Sequence, residues 1–125
     1  MEEPGGVYGR LLKQIDGLPR TEREVDKDFQ RKLKEIVIAL NGIENQLNQT
    51  ASGYSNEEYL NGLQKQLNRQ RLTLMEIQVG FHTLWEWHKT HSSGFFYGFK
   101  NALIEVGKLA EILNRTLKER KKRLR

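Results

Sequence analysis

The sequence predicts an all-α protein: an antiparallel up-down helical bundle of three long helices, with a short N-terminal helix folded against it. Three observations carry this. Apolar residues recur at steps of three and four over most of the 125 residues, the period of one helix face. Capping signals and Gly/Pro breaks divide the chain between these stripes. Nowhere is there an apolar–polar alternation long enough for a half-buried strand. Loops of a few residues cannot return the chain to a parallel start, so consecutive helices must run antiparallel.

The first element runs from about Val7 to Asp16, with Tyr8, Leu11, Leu12 and Ile15 on one face. Gly17-Leu18-Pro19 ends it, because proline cannot continue the hydrogen-bond ladder. Thr21-Glu22-Arg23-Glu24 reads as a capping box, in which the threonine hydroxyl and the Glu24 carboxylate satisfy each other's backbone N–H groups. After it, Val25, Phe29, Leu33, Ile36, Leu40, Ile43 and Leu47 form a stripe that reaches Ala51, and Ser52-Gly53-Tyr54 breaks it. A second box, Ser55-Asn56-Glu57-Glu58, opens the strictest stripe: Leu60, Leu63, Leu67, Gln70, Leu74, Ile77, Phe81, Leu84, His88 and His91. Such a seam is of coiled-coil type, and Leu60, Leu63, Leu67, Gln70, Leu74 and Ile77 are expected to serve self-association. Gln70 is the candidate register key within it, because a buried amide can fix helix alignment.

Thr90-His91-Ser92-Ser93-Gly94 makes the last turn, and Phe96, Phe99, Leu103, Val106, Ala110, Leu113 and Leu117 step along the final helix toward Leu124. The whole of 1–125 is read as one helical domain. Its parts are a short helix and linker at 1–20, long helices at 21–51, 55–91 and 93–124, and a basic end at 115–125. Met75, Trp85, Phe95 and Ile104 fall off the stripes and still need cover, which an isologous dimer would supply.

Charge is distributed unevenly. Residues 1–30 carry five basic and seven acidic groups, residues 31–91 seven and six, and residues 92–125 nine and three; the successive balances of −2, +1 and +6 sum to the net +5. The excess sits at the C-terminus, where Arg115, Lys118, Arg120, Lys121, Lys122, Arg123 and Arg125 accompany one acid, Glu119. These seven residues are the candidate nucleic-acid contacts, gripping phosphates of DNA or RNA, although a basic last turn also answers the helix dipole. Lys121-Lys122-Arg123 would serve as a nuclear-import signal in a eukaryotic or viral setting. The absence of a long apolar run and of a basic-then-apolar start predicts a soluble intracellular protein. A peripheral role on anionic membranes ranks third, after protein and nucleic acid, because the apolar face of the last helix is needed to close the bundle.

Seven of the eleven aromatic residues and all three histidines fall between positions 81 and 99. Trp85 and Trp87, two apart on a helix, point about 200° from each other, so they cannot share one core. Trp85, Trp87, Phe95 and Tyr97 are therefore the candidate contacts for a protein partner. No metal or cofactor is expected: there is no cysteine, and His82 and His88, six apart, diverge around a helix. Neither a phosphate loop nor a nucleophile with a base can be assembled, so the chain is read as a non-enzymatic interaction module. It is expected to be an oligomeric accessory or adaptor subunit with a nucleic-acid-binding arm, the rival being a direct nucleic-acid binder.

Amides crowd the middle of the chain, and Glu44-Asn45-Gln46-Leu47-Asn48-Gln49-Thr50-Ala51 resembles the asparagine- and glutamine-rich signature of plasmid mobilisation accessory proteins, which assist a relaxase at its nick site. The resemblance covers eight residues, no ribbon-helix-helix pattern precedes it, and what it implies is a DNA partner.

Overall fold

A computed structural model describes residues 5–49, 57–83, 86–87 and 94–123. Among the described residues four helices are bounded: α1 (Gly6–Asp16), α2 (Glu24–Gln49), α3 (Glu57–Thr83) and α4 (Gly94–Arg123). The protein is an all-α helical bundle, and no strand occurs among the described residues.

Cross-links fix the helix directions. Tyr59 at the start of α3 donates its hydroxyl to the Gln46 carbonyl near the end of α2 (3.2 Å), and Phe81 near the end of α3 stacks on Phe96 at the start of α4 (5.2 Å between centroids). Arg120 in the last turn of α4 donates to the Leu47 carbonyl at the end of α2, so α2 and α4 are parallel and α3 runs against both. α1 is antiparallel to α2: its C-terminal Asp16 pairs with Lys34 (2.5 Å), and Gln30 donates to the Ile15 carbonyl (2.7 Å). The order is up-down-up-down. Among the described residues α1 touches α2 and α4 but not α3, which sets α1 and α3 at opposite corners, with α2 and α4 in contact across the short diagonal.

The predicted stripes supply most of the core. Leu33, Ile36, Leu40, Ile43 and Leu47 of α2 are buried, as are Leu60, Leu63, Leu67, Leu74, Ile77 and Phe81 of α3 and Phe96, Phe99, Leu103, Val106, Ala110, Leu113 and Leu117 of α4. The α3 seam is therefore spent within one chain. Leu60, Leu63, Leu67, Leu74 and Ile77 are at most 5% exposed, so they cannot also serve an oligomer without opening the bundle. Gln70 is half-buried, and its side chain forms no hydrogen bond among the described residues. The amide that ties α3 to α4 is instead Gln64, whose Nε2 donates to Asn114 Oδ1 on α4 (2.9 Å) and to Asn68 Oδ1 within α3 (3.0 Å).

The start of α2 also differs from expectation. The helix begins at Glu24, with the Arg23 carbonyl accepting from the Lys27 N–H (3.1 Å). Glu24 pairs with Lys27 rather than closing a capping box, while the Thr21 hydroxyl accepts from the Arg23 N–H (3.2 Å) and donates to Asp26 (3.1 Å). In this register Asp26 is fully buried and Val25, placed on the stripe by sequence, is exposed. The second capping box lies mostly outside the described residues, as do Leu84, Trp85, His88 and His91.

Candidate functional site

Each side of a four-cornered bundle has a groove between neighbouring helices, and burial shows which side is unfinished. Buried α1 residues Leu11 and Ile15 pack against α2 and α4, and the Leu18 side chain beyond them lies over Gly98, where a Cβ would meet it at 2.5 Å. Among the described residues nothing equivalent lies across α3 and α4. There a groove of about 950 Å³ opens, walled by Leu72 and Met75 on α3 and Ile104 and Ile112 on α4. These four side chains are 47–59% exposed, and Val79, one heptad beyond Leu72, is 67% exposed. Isolated exposed apolar residues are ordinary; five along one helix pair are not.

The floor of the groove is low because α4 presents Gly107 and Ala110 there. A Cβ placed on Gly107 would meet only the Gln78 amide, at 3.7 Å. Four charged residues line the groove: Arg71, Lys108, Glu111 and Arg115. Glu111 is already held by Arg71 at 2.8 Å. Lys108 and Arg115 pair with no carboxylate among the described residues, so the groove is apolar with an uncompensated positive rim.

That rim leads into the basic end. Lys108, Arg115 and Lys122 recur at seven-residue steps and so share one face of α4, with Lys118 beside them. Arg115, Lys118 and Lys122 are exposed, as are Lys65 and Arg69 on the adjoining end of α3. Arg123 is exposed and Lys121 half-buried. Arg120 leaves the predicted phosphate-binding set: its Nη1 donates to the Leu47 carbonyl at 2.7 Å, where a cation also answers the C-terminal dipole of α2. Arg125 lies outside the described residues.

Of the aromatic residues assigned to a partner, Phe95 belongs to the core. It is 2% exposed and stacks on Phe99 at 5.4 Å, in a cluster where Phe81, Phe96 and Phe29 also meet. A helix starting at Gly94 turns Phe95 and Phe99, four apart, inward together. Tyr97 is 61% exposed at the top of α4. Trp87 is partly exposed with the Arg23 guanidinium 4.2 Å over its ring, and Trp85 lies outside the described residues.

The stripes mark Met75 and Ile104 as needing cover but do not single out Leu72, Val79 and Ile112. A signal for two of them is present: Leu72 and Val79 repeat at a heptad step beside the seam rather than within it. Among the described residues no cluster of His, Asp or Glu could hold a metal, and no helix is long and apolar enough to cross a membrane. Residues 44–49, which carry the amide-rich resemblance, form the end of α2, with Leu47 buried. No protein-family model matches the chain, and neither a curated protein nor a solved structure matches it.

Proposed function

We propose that the chain is a non-enzymatic helical interaction module that receives a protein partner in the groove between α3 and α4. The observation that carries this reading is the open apolar groove itself, because among the described residues no other face of the bundle leaves so many apolar side chains uncovered together. Binding is expected to draw most of its energy from burying Leu72, Met75 and Ile104. Selection of helical peptides displayed against the folded chain tests it. Binders should lose affinity for Leu72→Glu and keep it for Ile38→Glu, a change at an exposed apolar residue of α2 outside the groove. A selection whose binders are indifferent to Leu72→Glu defeats the proposal.

A second reading is direct nucleic-acid binding at the basic end, favoured by the exposed row Arg115, Lys118 and Lys122 beside Lys65 and Arg69. Affinity for a short mixed-sequence duplex should then fall steeply with salt. Replacing Arg115, Lys118 and Lys122 by glutamate should reduce the salt slope by about three, one for each phosphate no longer neutralised. A duplex affinity unchanged by these substitutions removes the reading.

A further inference from the structure

We infer that the occupant of the groove is an amphipathic helix of a partner protein whose apolar stripe is flanked by aspartate or glutamate. This inference rests on the docking role proposed above and adds the chemistry of the partner. The shape comes first. From Asn68 to Gln78 on α3, and from Ile104 to Arg115 on α4, the groove follows about 15 Å of helix, nearly three turns. A helix laid along it offers side chains at i, i+3, i+4 and i+7 to a trough of this length. Its backbone can approach closely because Gly107 and Ala110 leave the floor low.

Charge then selects the kind of helix. The one carboxylate in the groove is neutralised by Arg71, whereas Lys108 and Arg115 face it unpaired among the described residues, and Lys118 and Lys122 extend the same positive line. A partner with acids beside its apolar stripe answers these cations. A second copy laid parallel does not: it sets Lys108 and Arg115 against the same cations of its neighbour, and like charges across an interface oppose association. An anionic membrane is also a poor fit, since the apolar residues line two walls of a trough with the Arg71–Glu111 ion pair between them, rather than one convex face that could enter lipid.

The test uses the full chain and two synthetic helical peptides of about 18 residues, with the same leucine stripe but flanked either by glutamate or by lysine. Fluorescence anisotropy should show the glutamate peptide binding about tenfold more tightly at low salt, with the difference shrinking at high salt. Lys108→Glu with Arg115→Glu should reverse the preference. Gly107→Leu should abolish binding by filling the trough while leaving the helix intact, since leucine favours helix over glycine and a Cβ there meets only the Gln78 amide, at 3.7 Å. Equal binding of the two peptides overturns the acidic-partner inference and leaves the docking role standing. Binding of neither overturns both. A dimer by light scattering that dissociates in Gly107→Leu assigns the groove to a second copy and overturns the inference, as does retention on anionic vesicles that is lost in Leu72→Glu.

Discussion

Gly80 is dictated by a side chain from another helix. A Cβ at this position would lie 2.9 Å from Phe29 Cζ, the tip of a rigid ring held edge-on to Phe81, with centroids 6.4 Å apart. Gly80→Ala therefore gains about 1 kcal/mol of helix propensity but loses about 1–3 kcal/mol to overpacking, for a net loss in urea denaturation. Gly62, with nothing within 4 Å of such a Cβ, should show the opposite sign, and Gly62→Ala should stabilise by up to about 1 kcal/mol. Equal effects at both positions would mean that the Phe29 ring yields to the added methyl. Tyr8 is dictated by burial. It is 4% exposed and beside Glu44, and burial first, then the hydrogen bond and negative charge of Glu44, hold its phenol well above the ordinary value of 10.0. A raised value in the fold gives stabilisation that is complete below the unfolded value and lost as pH rises above it. The urea midpoint of the wild type should thus fall between pH 9 and 11 by more than that of Tyr8→Phe, which has no phenol to ionise.

At the scale of the helix, the stripes are legible because period alone decides which positions face inward. Seven-residue spacing from Leu60 to Leu74, and from Phe96 to Leu103, needs no tertiary knowledge. Helix starts are less legible because a cap depends on which hydroxyl and carboxylate meet, and several neighbours compete. Thr21-Glu22-Arg23-Glu24 matches a capping box by letter, yet the threonine hydroxyl turns to the buried Asp26, with the Arg23 guanidinium 3.9 Å from the same carboxylate. No sequence scale places an aspartate inside and its valine neighbour outside. What makes Asp26 tolerable is this set of partners together with the positive end of the α2 dipole. Asp26→Ala should cost about 1–3 kcal/mol, because a hydroxyl and a guanidinium lose the carboxylate they satisfy. A loss below about 0.5 kcal/mol would show that the exposed ion pairs Lys32–Asp28 and Arg31–Asp28, which hold the Asp28 carboxyl below the usual range, matter as much to the first turns. The groove lies beyond the reach of sequence for a related reason. Periodicity shows that Met75 and Ile104 are off the core stripe, but only the packing of α1 onto α2 and α4 shows that nothing among the described residues covers them.

At the scale of the whole molecule, the last helix has two duties that periodicity and charge do not separate. Its final turns carry the exposed cations Lys118, Lys122 and Arg123, and they also close the bundle: Leu117 is fully buried, and Arg120 ties α4 to the end of α2. Ending the chain at Asn114 removes both functions at once. Loss of the Leu117 side chain alone leaves a cavity worth about 2–5 kcal/mol, a large share of the stability of a domain this size, and the Leu47 carbonyl loses its donor. The truncated chain should therefore melt broadly and at lower temperature by circular dichroism, and any loss of duplex or peptide binding in it would report unfolding. Glutamate at Arg115, Lys118 and Lys122 changes the charge and spares the core. Of the three only Lys122 lies in the last turn, where such a change costs roughly 0.3–1 kcal/mol against the dipole, so the triple variant should keep a cooperative transition a few degrees lower. If this variant loses its melting transition as the truncation does, the basic row is structural, and the anionic partner must be sought at Lys65 and Arg69 instead. If it melts cooperatively and loses only its anionic partner, the positive face of α4 is separable from the fold that presents it.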